Sequence, residues 1–130
     1  MTRTSLWLPP LAYMALIFYV SSLSDPVPLI TAHVWDKLLH ALEYAGLATL
    51  LGRALLGEGL GALAAVVAAV LLAGAYGATD EYHQMFVASR TADVRDWVVD
   101  VIGASLGAIG YLLGRTNPAK AGSHKGSSTA

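Results

Sequence analysis

A chain of 130 residues with 55% hydrophobic and only 13% charged side chains, a mean hydropathy of +0.56 and a net charge of −1 departs from the soluble average of about one-quarter charged residues and reads as one small integral membrane domain. The near-neutral balance, with no basic run long enough to follow a phosphate backbone, excludes a nucleic-acid partner. The absence of cysteine excludes disulfides and thiolate metal sites.

Crossing roughly 30 Å of hydrocarbon takes about 20 apolar residues in a helix, and four segments come near that requirement: residues 6–23, 38–56, 60–79 and 97–113. The first follows Arg3, and Pro9-Pro10 is expected to interrupt its start. Val20-Ser21-Ser22 gives it a rival reading as a signal peptide, opposed by its length and by the three later segments it can pack against. Asp25-Pro26 and Pro28 break the chain after it. Gly57-Glu58-Gly59 turns the second segment back on the third as an antiparallel hairpin, and a polar stretch over 80–96 separates the third from the fourth. From Thr116 the Gly/Ser/Lys/Pro composition predicts a disordered tail, 116–130, leaving residues 1–115 as the transmembrane domain. The string Leu-Leu-Gly-Arg recurs, ending at Arg53 and at Arg115, which hints at two similar units. The expected fold is all-α: an integral membrane four-helix bundle made of two helical hairpins.

Small residues recur at helical spacing at Ala62, Ala65, Ala69, Ala73 and Gly77, and again at Gly103/Gly107 and Gly110/Gly114. Such faces let helices approach closely in lipid, within the chain or between copies in a homo-oligomer. Of the 8 basic residues, Arg3, Arg53, Arg115, Lys120 and Lys125 fall at one predicted end, while Lys37, Arg90 and Arg95 fall at the other. Glu58 alone of the acids joins the first set. The positive-inside rule places that end, and both termini, in the cytoplasm of a multi-pass cell-membrane protein.

Ionisable groups inside such a chain are expensive and so mark function. Asp36, His40 and Glu43 share a face at the start of the second segment, flanked by Lys37 and Tyr44. Asp96 and Asp100 head a stripe continued by Gly103 and Gly107 in the fourth. Glu81 and Gln84 share a face if the third helix runs on through them. All three sets lie at the same, predicted outer, end, where helix ends can surround one pocket. Three chemistries fit these residues. Arg90 and Lys37 suit anionic oxygens of a phosphate or pyrophosphate, with His40 as acid or base helped by Glu81 or Asp96. Carboxylates and histidine can instead ligate a divalent cation, although His40 and Glu43 lack the matching second pair of a di-iron bundle. Lys37, Arg90 and Arg95 can also simply neutralise the acids. His83 and Asp93 break the shared faces and are read as structural; His33 and His124, in loop and tail, are given no role.

Asp36-Lys37, His40 and Tyr44, followed by Asp80-Glu81, Gln84, Arg90, Asp96, Asp100 and Gly103, resemble the pattern of the VanZ-like family over roughly residues 6–115. The resemblance implies a small multi-helix membrane protein; the family's founding member is associated with resistance to the glycopeptide teicoplanin. Two positions depart from the pattern: Asp100 stands where Asn is frequent, and Ser89 where Gly commonly precedes the arginine. Ser89-Arg90, Asp96 and Asp100 also resemble in spacing the last motif of type-2 phosphatidic acid phosphatases. Asp96 replaces their nucleophilic histidine, which closes the phosphohistidine route.

The expected protein therefore has an outward-facing polar pocket that binds or modifies an amphiphilic cell-envelope ligand, a glycopeptide or a phosphate-bearing lipid. His40, Glu81, Asp96 and Asp100 form its proton-handling centre, Arg90 and Lys37 hold anionic groups, and Asp36, Tyr44 and Gln84 orient them. No cofactor is expected, with a divalent metal as the alternative. Hydrolysis or transfer at a lipid phosphate, and a packing role in a larger envelope complex, are the rival functions.

Overall fold

Four helices account for nearly all of the described chain, residues 1–23 and 33–117 of a computed structural model: α1 (Arg3–Ser21), α2 (His33–Gly57), α3 (Ala62–Gln84) and α4 (Val94–Thr116). The side chains of residues 33–35, the expected break at Asp25-Pro26 and Pro28, and residues 118–130 of the tail expected from Thr116 lie outside the described residues; Thr116 itself still belongs to α4. The all-α bundle read from the sequence is present, and among the described residues there is no strand.

The Thr2 hydroxyl accepts the Ser5 N–H at 3.2 Å and caps α1. Pro9 and Pro10 lie inside α1 and do not interrupt it, contrary to the expectation from sequence. A proline at position 9 has no N–H to give the Ser5 carbonyl; Arg53 supplies one from α2 instead, its Nη1 donating to that oxygen at 3.3 Å. At the α2–α3 turn Gly59 adopts φ 97°, the left-handed region open to glycine. Glu58 ties this turn to α1, accepting the Trp7 indole N–H at 3.0 Å and pairing with Arg3 at 3.3 Å.

The apolar run of the third segment ends at Thr79, yet α3 continues through Gln84. Its last turn is polar and is kept helical by burial: Asp80, Glu81 and Gln84 are each at most 8% exposed. The linker is accordingly shorter than the expected polar stretch and occupies residues 85–93. Asp93 closes it as the cap of α4, its carboxylate accepting the Arg95 N–H at 2.9 Å. Within it Ser89 takes φ 65°, a conformation that glycine adopts without strain and serine does not.

The tightest packing joins α2 to α4, two helices that run parallel. Ala41 meets Gly103 and Ala45 meets Gly107 at backbone contact, and a Cβ on either glycine would overlap the facing carbonyl oxygen. The Thr49 hydroxyl lies within hydrogen-bond distance of both the Ala45 and Gly107 carbonyls, at 2.8 and 3.1 Å. α2 touches all three other helices, whereas among the described residues α1 and α4 do not meet. Between α1 and α3 the Tyr76 hydroxyl donates to the Met14 carbonyl at 2.6 Å.

Alanines make up much of the interior, beside Leu6, Ile17, Tyr44, Leu47, Leu51 and Leu55, while many large side chains face out. Ala48, Ala54, Ala65, Ala69, Ala73, Ala104 and Ala108 are buried, while Leu8, Leu16, Leu63, Leu71, Ile102, Leu106 and Leu113 are exposed. That inversion suits a lipid solvent, in which close backbone approach rather than apolar burial drives helix association. Three helices, α1, α3 and α4, are long and apolar enough to cross a membrane. The 25-residue α2 has the length, but His40, Glu43 and Arg53 dilute its apolar character.

Candidate functional site

Every buried polar or charged side chain among the described residues lies at one end of the bundle: Ser21 at the end of α1, His40 near the start of α2, Asp80, Glu81 and Gln84 at the end of α3, and Asp96 and Asp100 at the start of α4. The helix directions bring these termini together. The parallel α2–α4 register then sets the pairs, since Lys37 and His40 are one turn apart and meet Asp96 and Asp100 one turn apart.

Lys37 Nζ donates to Asp96 Oδ1 at 2.8 Å, and that hydrogen bond raises the ammonium pKa above its ordinary value. One turn deeper, His40 Nδ1 lies 2.9 Å from Asp100 Oδ1, with Asp100 fully buried. The Tyr44 hydroxyl reaches Asp80 at a long 3.4 Å. Gln84 Nε2 donates to Ser21 Oγ at 3.2 Å, and Glu81 Oε2 accepts the Asp93 backbone N–H at 3.0 Å. The Trp97 indole donates to the Gly74 carbonyl at 2.9 Å, fastening α4 to α3 beside the cluster. Arg90 Nε donates to the Leu23 carbonyl at 3.1 Å; among the described residues no carboxylate pairs with its guanidinium. Asp80 Oδ1, Glu81 Oε1 and Asp100 Oδ2 are buried without a hydrogen-bond partner.

Two adjoining cavities at this end share part of their lining. One, of about 380 Å³, has an apolar wall of Tyr13, Ile17, Val20, Leu39 and Leu42 and a polar wall of Ser21, Asp36, His40, Glu43, Asp80, Gln84 and Arg90. The other, of about 220 Å³, is lined by Asp36, Lys37, His40, Gln84, Ser89, Arg90, Thr91, Asp93 and Asp96. They share Asp36, His40, Gln84 and Arg90.

Of the nine residues singled out from sequence, six line these cavities: Asp36, Lys37, His40, Gln84, Arg90 and Asp96. Tyr44 and Asp100 are wholly buried behind them. Glu81 turns away from Gln84 toward α4 and lines a third cavity of about 450 Å³ with Tyr82, Met85, Val94 and Trp97. Two groups have the spacing to hold a metal ion, Asp36/His40/Asp96 and His40/Glu81/Asp100; in each the donor atoms lie within 4.8 Å of one another. His83 stacks on Phe18 with ring centroids 4.5 Å apart, and Asp93 caps α4.

Sequence reasoning gave no site role to Ser21 or Tyr13, and named Asp80 only within the polar stretch and the family pattern, without a role of its own. Asp80 carried a usable signal, because Tyr76, Asp80 and Gln84 form an i, i+4 stripe. Ser21 and Tyr13 carried none, since their contacts depend on how α1 docks.

The VanZ/LLP1 family profile matches residues 3–115. No curated protein and no solved structure matches the chain. Gly103, which carried part of the resemblance in sequence, and Ser89, which departs from the pattern, now have physical places: the glycine at the α2–α4 crossing, the serine in a left-handed turn. A profile match over all four helices, together with three helices apolar enough to span a bilayer, identifies this chain as a membrane protein that belongs to the VanZ/LLP1 family.

Proposed function

We propose that the protein binds an amphiphilic cell-envelope ligand, a phosphate-bearing lipid or a glycopeptide, in the cavity bounded by α1, α2 and α3. One observation carries this reading: an apolar-walled chamber of about 380 Å³ adjoins a polar mouth and shares four lining residues with it. Its size falls in the usual range for small-molecule sites, about 300–1,000 Å³. An apolar tail fits against Ile17, Val20, Leu39 and Leu42, and Leu39 and Leu42 are themselves exposed on the outside of the bundle. Arg90, unpaired with any described carboxylate, and Lys37 offer donors to an anionic head group. The basic residues at the opposite end, Arg3, Arg53 and Arg115, favour a mouth that faces away from the cytoplasm. Glycopeptide tolerance, the property associated with the family's founding member, fits an envelope-facing site of this kind.

Native mass spectrometry of the detergent-purified protein tests the reading. Wild type should retain an anionic amphiphile that Arg90→Ala and Lys37→Met lose, with folding unchanged. Retention by both variants would sink it.

Turnover of a lipid phosphate is a second reading, favoured by the His40–Asp100 pair at 2.9 Å. A buried carboxylate on one imidazole nitrogen is how a general base is oriented. Under this reading His40→Gln abolishes release of phosphate from the retained lipid and leaves its binding intact.

A further inference from the structure

Asp100 and Glu81 share an arrangement that helix packing does not require. Asp100 Oδ1 is held by His40 Nδ1, and Asp100 Oδ2 is buried with no partner. Glu81 Oε2 is held by the Asp93 N–H, and Glu81 Oε1 is buried with no partner. Each carboxylate is thus fixed through one oxygen and bare at the other, and the two residues are 0% and 8% exposed. A buried unpaired carboxylate oxygen costs more than an ordinary lost hydrogen bond. Two of them beside one imidazole, with donor atoms of all three residues within 4.8 Å of one another, form a ligand set.

Charge points the same way. Asp80, Glu81, Asp96 and Asp100 are buried at this end, and the cations lining its cavities are Lys37 and Arg90. Lys37 is spent on Asp96, and Arg90 pairs with no carboxylate among the described residues. Of the deep carboxylates, Asp100 has only the His40 imidazole as a partner, and among the described residues no cation pairs with Asp80 or Glu81, although burial normally demands one.

We propose that His40, Glu81 and Asp100 bind a divalent first-row transition cation. The Asp93 N–H orients Glu81 as an outer-shell donor. His40 Nδ1 stands 2.9 Å from Asp100 Oδ1, a spacing at which both atoms can ligate one ion that takes the place of the proton they share. One imidazole with two carboxylates selects Zn²⁺ or Mn²⁺ over the all-oxygen preference of Mg²⁺ and Ca²⁺. The shallower group, Asp36/His40/Asp96, is the poorer site because Asp36 is exposed and Lys37 occupies Asp96 Oδ1. His40 lines both cavities, so the ion enters from the polar mouth. The proposal does not depend on the identity of the amphiphilic ligand, nor on its binding.

The test titrates the untagged full chain in detergent, stripped with EDTA, with Zn²⁺ or Mn²⁺ alone by calorimetry, while thermal unfolding is followed in parallel. One saturable ion per chain is expected, with an unfolding midpoint that rises with metal. Glu81→Gln and Asp100→Asn should each weaken binding by at least about tenfold, and Asp36→Asn should not. No saturable binding, which would mean that a proton or water satisfies the pair, overturns the proposal. So does equal affinity in both carboxamide variants. Should those variants not fold, pulsed EPR of the Mn²⁺-loaded chain in a His33→Ala/His124→Ala background decides: nitrogen coupling lost on His40→Gln supports the site, and no nitrogen coupling refutes it.

Discussion

Gly103 of α4 faces Ala41 of α2 so closely that a methyl group at position 103 would overlap the Ala41 carbonyl oxygen, and Gly107 repeats the contact one turn on against Ala45. Backbone cannot yield as a flexible side chain can. Gly103→Ala and Gly107→Ala should each destabilise the protein by about 1–3 kcal/mol, read as a lower unfolding midpoint in detergent. Gly110→Ala, with nothing within 4 Å of its added Cβ, should cost nothing. Equal midpoints for all three variants would remove the α2–α4 crossing as the organising contact. Because these two glycines are used inside the chain, any homo-oligomer has to use other residues.

The Arg53–Ser5 hydrogen bond of 3.3 Å stands in for the one that Pro9 cannot make. Arg53→Met should therefore cost about 0.5–1.5 kcal/mol in the native sequence. In a Pro9→Ala background, where the Ser5 carbonyl regains its helical N–H, the cost should shrink toward zero. A double-mutant cycle measures this coupling; strict additivity would mean that Arg53 acts through something else.

Serine at φ 65° holds a conformation that costs an L-residue roughly 1–2 kcal/mol. Ser89→Gly should raise the unfolding midpoint, and Ser89→Val should lower it. The same strain accounts for the glycine common at this position in the pattern the sequence resembles. Ser89 also borders Arg90 at the mouth, so the glycine variant should show lower affinity for the retained amphiphile if a rigid turn aims the guanidinium.

A chain without cysteine allows single-cysteine labelling with no background. Thr91→Cys, exposed beside the polar mouth, should react with a membrane-impermeant maleimide added to intact cells. Gly61→Cys, at the opposite end with open space around it, should react only after lysis. The reverse pattern would put the mouth in the cytoplasm and withdraw the envelope-facing reading.

Much of this could be read from the chain because lipid imposes strong rules. Apolar runs located the helices to within a few residues, and the i, i+4 spacing of Asp36 with His40 and of Asp96 with Asp100 brought the right faces to the right end. What failed did so where a distant partner overrides a local signal. Pro9-Pro10 looks like an interruption until Arg53, 48 positions on from Ser5, serves the orphaned Ser5 carbonyl. Hydropathy stops at Thr79, but tertiary burial carries α3 on to Gln84. The shared face of Glu81 and Gln84 was too coarse, since Gln84 lines the amphiphilic cavity and Glu81 faces α4. No local pattern announces the parallel register of α2 and α4, and that register decides which acid meets His40.

The helix that touches every other one is also the helix least suited to leave the translocon by itself. Each ionised side chain costs about 2.5–3.5 kcal/mol at the middle of an isolated inserting segment, and α2 emerges from the ribosome before the carboxylates that match Lys37 and His40 have been synthesised. The partners of Lys37 and His40 are thus supplied last, by Asp96 and Asp100 of α4, so the central helix is the one whose polar groups are satisfied only when the chain is complete.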